Sequence, residues 1–194
     1  MNNFTSVQIL ELIESVGEDE VQEILSNFSC EKNDEIEHFL KKNAVDFAKK
    51  KMSITHLVFN QEAELVGYFS LTHKPLTLKN DALSKRSQKR MQRHAKYDPL
   101  IESYNVSAFL IAQLGKNSNQ SIRNPITGEE LMDCTWNTLT DVQSKVGGGV
   151  VFLECEDRQK LLDFYQNEIN HFSIFGERMS DDGDIVYKQL LRFF

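Results

Sequence analysis

Proline, glycine and cysteine are scarce in this chain, and each scarcity excludes a class of protein. Three prolines and nine glycines among 194 residues are too few for long disordered linkers. The three cysteines (Cys30, Cys134 and Cys155) are odd in number and form no CxxC pair, which argues against a disulfide framework or a thiolate zinc site. With 40% hydrophobic and 26% charged residues, the composition predicts one globular domain over residues 1–194.

The sequence also lacks the segments that direct a protein into or across a membrane. The start, Met1-Asn2-Asn3-Phe4, has neither a basic nor an apolar region and does not predict a signal peptide. No apolar run approaches the roughly 20 residues that a membrane helix needs. These two absences predict a soluble, cytoplasmic protein.

Charge is distributed unevenly along the chain. The net charge of −7 gives no global reason to expect nucleic-acid binding. From Lys79 to Tyr97, however, seven basic residues stand against one acidic residue, while the remainder carries 15 basic and 28 acidic residues. This basic segment is a candidate surface for an anionic partner. A solvated helix face, or a docking surface for an acidic protein, explains it as well.

Hydrophobic periodicity predicts helices followed by a hairpin in the first part of the chain. The predicted elements are a short strand running into a helix over Val7–Ile13, a helix containing Val21 to Phe28, a helix capped by Asn33 or Asp34 and closed by Lys49–Lys51, and the strands Ile54–Phe59 and Glu64–Thr72. The short turn between the two strands predicts an antiparallel hairpin. Pro75 is expected to end regular pairing or to mark a sheet edge.

The second part of the chain alternates strands and helices. The predicted elements are a helix over Lys79–Tyr97, a buried central strand Val106–Leu114, a helix Glu129–Val146 ended by Gly147–Gly149, a strand Val150–Cys155, a helix Arg158–Asn167 capped by Asp157, and two strands within His171–Phe194. A strand–helix–strand unit requires a parallel pair, whereas the hairpin requires antiparallel pairing. The predicted fold class is α/β (α+β), a mixed central sheet with helices on both faces.

The strongest local feature is the strand that ends at Leu114, its polar loop, and the helix that begins near Gly128. Glycine at a helix start lets the backbone approach a ligand closely, and the free N–H groups of the first turn attract phosphate. Arg123 in the same loop adds a positive charge. A helix N-cap without a ligand explains the same pattern and is favoured by the spacing alone.

Two further features follow the strand Val150–Cys155. Tyr165 lies on the next helix, and a tyrosine can donate a proton to a leaving thiolate within hydrogen-bond reach. An aromatic core residue beside Phe164 is the commoner explanation of this pattern. The acidic residues Glu154, Glu156 and Asp157 stand where ligands of open α/β sheets bind, so one of them is a candidate base acting through water, although solvated loop acids are far commoner.

No metal-binding pattern is present in the sequence. The five histidines are scattered without HxxxH spacing: His38, His56, His73, His94 and His171. The cysteines lack an evident activating group, so a Cys–His nucleophile has little support.

The order of the predicted elements resembles the GNAT acetyltransferase superfamily over nearly the whole chain, and three stretches carry the resemblance. The first comprises Phe28-Ser-Cys30, Phe39-Leu40 with Ala44, Thr55-His-Leu-Val-Phe59 and Val66-Gly-Tyr-Phe-Ser-Leu71, and it is similar to the amino-terminal half of the toxin-like branch. The second, Gln113–Leu131, resembles the region of the acetyl-CoA loop. The third, from Phe152-Leu-Glu-Cys155 through Phe164-Tyr165, is similar to the family's strand, helix and terminal F-Y signature.

The sequence departs from the family pattern in two places. The family loop reads R/Q-x-x-G-x-G/A, whereas Arg123-Asn-Pro-Ile-Thr-Gly128 has Ile126 in place of the middle glycine and a proline at position 125. The family's glycine–phenylalanine after the last helix is replaced by Asn167-Glu-Ile-Asn170.

The resemblance implies direct transfer of an acetyl group from acetyl-CoA to an amine. Tyr165 matches the family's general acid and would protonate the departing thiolate, while a backbone N–H near Leu114 would polarise the carbonyl. The residues implied in acetyl-CoA binding are Gln113, Leu114, Gly115, Arg123, Thr127, Gly128 and Glu129. Dimers are common in the family, so a homodimer is an implied assembly.

Three functions therefore stand open at the level of the sequence. The leading hypothesis is an acetyltransferase for a small-molecule or protein amine. The second is a toxin-like acetyltransferase of aminoacyl-tRNA, in which Lys79–Lys96 would contact phosphates. The third is a catalytically silent GNAT fold that binds acyl-CoA or a partner protein. Binding of acetyl-CoA without turnover would identify this third function.

Overall fold

Residues 3–194, which the computed structural model describes, contain eight strands and seven α-helices. The strands are β1 (Thr5–Gln8), β2 (Ile54–Phe59), β3 (Leu65–Lys79), β4 (Tyr97–Asp98), β5 (Ser103–Lys116), β6 (Val150–Glu156), β7 (Ser173–Met179) and β8 (Val186–Phe193). The helices are α1 (Ile9–Val16), α2 (Glu18–Ser26), α3 (Asp34–His38), α4 (Ala44–Lys49), α5 (Lys85–Met91), α6 (Gly128–Val146) and α7 (Gln159–Gln166), and a π-helical turn (Phe39–Asn43) joins α3 to α4. No helix in this part of the chain is long and apolar enough to span a bilayer.

The strands form a mixed sheet in the order β1-β2-β3-β5-β6-β8-β7, and β4 pairs with β5. The pairs β1–β2, β2–β3, β4–β5, β6–β8 and β7–β8 are antiparallel. The predicted α/β class with a mixed central sheet is confirmed.

The chain divides into two compact units, which are described separately. Unit 1 comprises residues 3–72 together with Ile111–Asp141, and unit 2 comprises His73–Leu110 together with Val142–Phe194. Strands β3 and β5 and helix α6 each contribute residues to both units.

The core of unit 1 is centred on Tyr68, whose side chain is fully buried. Its ring meets Phe28 edge-on at 5.3 Å and stacks with Phe39 at 6.4 Å between ring centroids. The Tyr68 hydroxyl donates a hydrogen bond of 2.6 Å to the carbonyl of Ile36, which satisfies its polar group inside the core. The other fully buried side chains of this core come from α1, α2, the helical stretch of residues 34–49 and the hairpin: Ile9, Val21, Leu25, Leu40, Ala48 and Leu57.

The core of unit 2 is formed by inward-facing residues of β3, β5, β6 and β8 together with Met91 of α5. Arg90 fixes α5 to the last residues of the described chain. Its guanidinium donates to the carbonyl of Phe194 at 3.0 Å and lies 4.6 Å from the ring centroid of Phe193. His94 also stacks on Phe193, so the polar end of α5 is held by two aromatic contacts.

Pro75 lies at an edge of the sheet, which is one of the two expected outcomes, and β3 continues beyond it. The β2–β3 pairing runs only to Ile54 opposite Leu71, while β3 continues to Lys79. Within the described residues, Pro75 therefore lies where β3 has no β2 partner, so the N–H that proline lacks costs no hydrogen bond on that side.

Two predicted helix boundaries are wrong. The basic segment is not one helix, because Lys79 ends β3, Tyr97 begins β4 and only Lys85–Met91 is helical. Buried Leu76 and Leu78 alternate with exposed residues, a period-two pattern that continues the strand to Lys79. Asp157 does not cap α7, since Arg158 occupies the N-cap and the Asp157 carboxylate lies 3.2 Å from the ammonium of Lys188.

Candidate active site

Helix α6 begins with a capping box formed by Thr127 and Glu130. The Thr127 hydroxyl oxygen accepts a hydrogen bond from the Glu130 N–H at 3.2 Å. In return, the Glu130 carboxylate accepts the N–H and the O–H of Thr127 at 2.9 and 2.7 Å. The backbone hydrogen bond, then the hydroxyl bond and the charge of Lys116, lower the pKa of Glu130. A negative charge at this end is stabilised by the helix dipole.

The start of α6 offers donors for an anion but also opposes one. Within residues 3–194, the N–H groups of Gly128 and Glu129 donate to no protein acceptor, as expected for a first helical turn. Lys116, which the sequence analysis did not select, is near enough to lower the pKa of Glu130 and so adds positive charge here. The carboxylates of Glu129 and Glu130 oppose that charge. The residues present therefore fit a pyrophosphate, but with fewer free donors than a glycine-rich loop supplies.

The loop before α6 is tied to the turn between β2 and β3. The Asn60 side-chain amide donates to the Arg123 carbonyl at 2.7 Å, and the Arg123 N–H donates to the Glu64 carboxylate at 3.0 Å. The Asn124 side chain donates to Glu62 at 3.0 Å, with Asn124 in the left-handed backbone region at φ 52°. These bonds fix the backbone of the loop, while the Arg123 side chain is exposed and makes no ion pair within residues 3–194.

Ile126 has a packing role that explains its departure from the family pattern. Its side chain is buried and, with Leu131, covers Gly67 of β3. A Cβ on Gly67 would lie 3.0 Å from the Gly115 carbonyl, 3.3 Å from Leu131 Cδ1 and 3.4 Å from Ile126 Cγ2. Glycine at position 67 thus allows the start of α6 to pack directly on the strands.

The end of β5 brings Gln113, Leu114 and Gly115 together as consecutive strand residues. Gln113 and Leu114 are half-buried, and Gly115 is buried. A side chain at Gly115 would collide with Ile36 and would lie 2.9 Å from Tyr68 Cε1. The backbone of β5 therefore reaches its last turn closely covered on one side by residues of α3 and β3.

The segment after β5 is joined to the loop between α2 and α3 through Asn117. The Asn117 side chain is buried and accepts the N–H of Ser29 at 3.0 Å. The Ser118 N–H donates to the Ser29 carbonyl at 2.8 Å, and the Ser118 hydroxyl accepts the Glu31 N–H at 3.2 Å. Sequence reasoning missed this network, because an asparagine in a polar loop is ordinarily read as a turn residue.

Tyr165 is held by the polar segment that replaces the family's glycine–phenylalanine. The Asn170 side chain donates to the Phe164 carbonyl at 2.7 Å, and the Phe172 N–H donates to the Tyr165 carbonyl at 3.0 Å. The Tyr165 ring is 8% exposed and packs edge-on against Phe164 and Phe172. Burial, with a smaller effect of Cys155, raises the pKa of Tyr165. Within residues 3–194 no hydrogen bond to its hydroxyl is found, and the raised pKa keeps the phenol protonated, so the hydroxyl can donate a proton.

The remaining candidate groups have structural partners or lack activation. Each acid at the end of β6 faces a cation: Glu154 lies 2.6 Å from Arg178, Glu156 lies 2.6 Å from Arg158, and Asp157 pairs with Lys188. The three cysteines are free thiols, and burial raises the pKa of each of them. A base among these acids and a thiolate nucleophile therefore find no support. No group of histidine, cysteine and acidic side chains in the described chain could hold a metal ion.

The basic segment presents unpaired cations on unit 2. Six of its seven basic side chains are exposed and make no ion pair within residues 3–194: Lys79, Lys85, Arg86, Lys89, Arg93 and Lys96. The seventh, Arg90, is committed to Phe193 and Phe194. The segment thus keeps most of its charge available to solvent or to an anion.

Replacing Thr127 by alanine tests the capping box. We expect a loss of about 1 kcal/mol in the free energy of unfolding, because an N-cap hydroxyl is removed. The pKa of Glu130 is lowered on folding, so this carboxylate stabilises the folded state at pH values above its unfolded pKa of about 4.3. That stabilisation is lost as the pH falls through the folded pKa of Glu130. The difference between wild type and variant should therefore narrow below about pH 4, as measured by urea unfolding between pH 3 and pH 7.

Thr140→Ala is the matched control, because Thr140 lies within α6 and its hydroxyl donates only to the Trp136 carbonyl. Equal stability and equal pH dependence of the two variants would show that the capping box contributes nothing.

A comparison with protein-family models finds no match, and neither does a comparison with curated proteins. Solved structures do match. AtaT complexed with acetyl-methionyl-tRNAfMet has a TM-score of 0.63 and 18% identity, covering 95% of this chain and 93% of that chain. AtaTR bound with AcCoA has a TM-score of 0.58 and 14% identity, covering 100% and 94%. A tyrosine-to-phenylalanine mutant of KacT has a TM-score of 0.60 and 16% identity, covering 95% and 94%. At these identities the likeness concerns the fold, and it confirms the expected fold: the chain has the GNAT fold.

Proposed function

We propose that residues 1–194 act as a single-domain cytoplasmic N-acetyltransferase that transfers an acetyl group from acetyl-CoA to an amine. The observation that carries the proposal is the GNAT fold shared with AtaT complexed with acetyl-methionyl-tRNAfMet and with AtaTR bound with AcCoA. Because one fold can host many functions, the proposal also depends on what the individual residues can do.

The residues of unit 1 would bind the co-substrate. The free N–H groups of Gly128 and Glu129 would receive the pyrophosphate, supported by the charges of Lys116 and Arg123. Thr127 would keep its role as the helix cap. The strand backbone of residues 113–115 would bind the pantetheine amides, and the N–H near Leu114 would polarise the thioester carbonyl.

Tyr165 would act as the general acid. The amine nitrogen forms a bond to the thioester carbon, the carbon–sulfur bond breaks, and the sulfur leaves with the electron pair. The Tyr165 hydroxyl would give its proton to that sulfur, and the product nitrogen would release its extra proton to water. The unpartnered, protonated phenol supports this role. Its raised pKa makes it a weak acid, so the expected contribution is modest.

Acetyl-CoA should raise the melting temperature of the protein. A ligand that binds only the folded state adds about 2.7 kcal/mol at a hundredfold excess over its dissociation constant. Gly128→Glu should abolish the shift, because its carboxylate would repel the pyrophosphate, whereas Thr140→Glu adds the same charge further along α6 and should retain it. The absence of a shift in the wild type at millimolar acetyl-CoA would count against the function. A shift without transfer to any amine would identify a silent binding module.

Tyr165→Phe should retain acetyl-CoA binding and slow turnover. Losing a general acid costs about 10²–10⁴-fold in rate, and because the raised pKa makes Tyr165 a weak acid, we expect a loss of about 10²-fold. Tyr104→Phe is the control, since Tyr104 is another buried tyrosine of unit 2. Steady-state kinetics and melting curves should be measured for both variants. Full turnover of Tyr165→Phe, or a loss that follows melting temperature, would remove Tyr165 from the mechanism.

A second candidate function is acetylation of aminoacyl-tRNA. The six exposed, unpaired cations of the basic segment favour it, since phosphate contacts dominate nucleic-acid affinity. The similar structure of AtaT complexed with acetyl-methionyl-tRNAfMet supports the same acceptor class. The net charge of −7 over the whole chain opposes it, so this function stands second.

If tRNA binds the basic segment, its affinity should fall steeply with salt. Reversing Lys85, Arg86 and Lys89 should reduce the slope of log affinity against log salt by roughly one for each phosphate that the protein no longer neutralises. Reversal of Lys32, Lys42 and Lys160 changes the net charge equally and should leave the slope unchanged. Binding measured from 50 to 300 mM salt, about the range in which such contacts are screened, decides the matter. Equal slopes for the two triple variants would exclude the basic segment.

A further inference from the structure

We propose that Asn117 is a positioning residue that couples the end of β5 to the loop between α2 and α3. This inference rests on the proposed function, in which the backbone at the end of β5 binds acetyl-CoA. Asn117 touches none of the reacting groups in this account; it acts through the segments that it joins.

The Asn117 side chain uses its full hydrogen-bonding capacity. Its amide nitrogen donates to the carbonyls of Leu65 at 2.8 Å and Asn27 at 3.4 Å. Its oxygen accepts the N–H groups of Ser29 at 3.0 Å and Asn119 at 3.1 Å. A buried amide with two donors and two accepted bonds is fully satisfied, and asparagine alone among residues of this size supplies that set. Every partner atom belongs to the backbone, so Asn117 fixes chain positions and not other side chains.

Further hydrogen bonds connect the end of β5 and the loop between α2 and α3 to their neighbouring elements. The Asn117 N–H donates to the Val66 carbonyl at 2.9 Å, which extends the contact between β5 and β3. The Cys30 N–H donates to the Glu37 carboxylate at 2.8 Å, and Glu37 pairs with Lys41 at 2.7 Å, so the loop continues into α3.

From α3 the path returns to β5. Ile36 packs against Gly115, and its carbonyl accepts the Tyr68 hydroxyl at 2.6 Å. Residues 27–36 thus touch the end of β5 on both sides of Lys116. The binding free energy of a ligand that orders Gln113–Gly115 therefore depends on the conformation of residues 27–31. Asn117 is the side chain that couples the two segments.

Asn117→Asp is the sharpest test, because it keeps the shape and the acceptor oxygen and removes only the donor. Its new oxygen would face the carbonyls of Leu65 and Asn27, which repel it. We expect the dissociation constant of acetyl-CoA to rise about tenfold. Backbone N–H exchange of residues 27–31 should accelerate in the free protein, and acetyl-CoA should slow that exchange in the wild type much more than in the variant.

Asn119→Asp is the matched control. Asn119 is exposed, lies two residues further along the same loop, and keeps its oxygen bonds to Ser121 when the amide is replaced. The same charge is added at nearly the same place, so this variant should bind acetyl-CoA and exchange like the wild type, although it no longer makes the 3.4 Å hydrogen bond to Asn27. Binding that weakens equally in both variants would mean simple charge repulsion and would overturn the proposal.

Ser118→Ala provides a second variant in case Asn117→Asp does not fold. It removes an exposed hydroxyl that joins Glu31 and Ser29 to the same loop, and it should produce the same changes at smaller size. Exchange and acetyl-CoA affinity at wild-type values in Ser118→Ala and a folded Asn117→Asp would overturn the proposal, as would an Asn117→Asp variant that only melts earlier.

The failure of the proposed function is distinguishable from the failure of this inference. If the wild type does not bind acetyl-CoA, the proposed function falls, while exchange in the free proteins still tests Asn117. Equal exchange of residues 27–31 in Asn117→Asp and Asn119→Asp would then show that Asn117 does not position the loop.

Discussion

The end of β5 depends on the absence of a side chain at Gly115. Ile36 and Tyr68 occupy the space that a Cβ would need. Because the strand is covered there by α3 and by the core of unit 1, its backbone cannot shift without moving Tyr68 and the carbonyl that accepts its hydroxyl. Close packing of this kind is stiff, since interiors have few voids into which atoms can move. The proposed cofactor strand is therefore positioned by the hydrophobic core, before any polar contact is considered.

The loops around that strand are positioned differently, by side chains that bind the backbone. Asn60 holds the carbonyl of Arg123, Asn117 holds Ser29 and Leu65, and Thr127 with Glu130 holds the start of α6. Such bonds fix the path of a loop without requiring apolar residues, so the exposed surface can stay polar. These bonds also occupy hydrogen-bond donors that would otherwise be available to a phosphate. The start of α6 consequently combines a rigid loop with only two free N–H groups, a compromise between internal order and anion binding.

The sequence predicts the elements that carry a strong apolar period, and it predicts the polar connections less well. The predicted bounds of β2, β6 and α6 lie within one residue or two of the observed ones, because buried alternation or helical spacing is present in the residues themselves. The prediction of a helix beginning at Lys79 is wrong because the charged residues mask the alternating pattern that continues β3. The prediction that Asp157 caps α7 is wrong because its carboxylate forms an ion pair instead. In the candidate site, the isolated strand glycines 67 and 115 signal close backbone approach. Nothing local marks Asn117, since its partners are as much as 90 residues away.

The extension of β3 past its neighbour bears on how copies of the protein can associate. A strand edge with free N–H and C=O groups is a template onto which another chain can add. Within the described residues, the stretch of β3 beyond its pairing with β2 carries Lys74, Pro75 and Lys79, all of them exposed. Proline removes a donor from the row, and the two lysines repel a second copy of the same edge. Two copies of the protein are therefore discouraged from pairing edge to edge at this stretch, without any other element having to cover it.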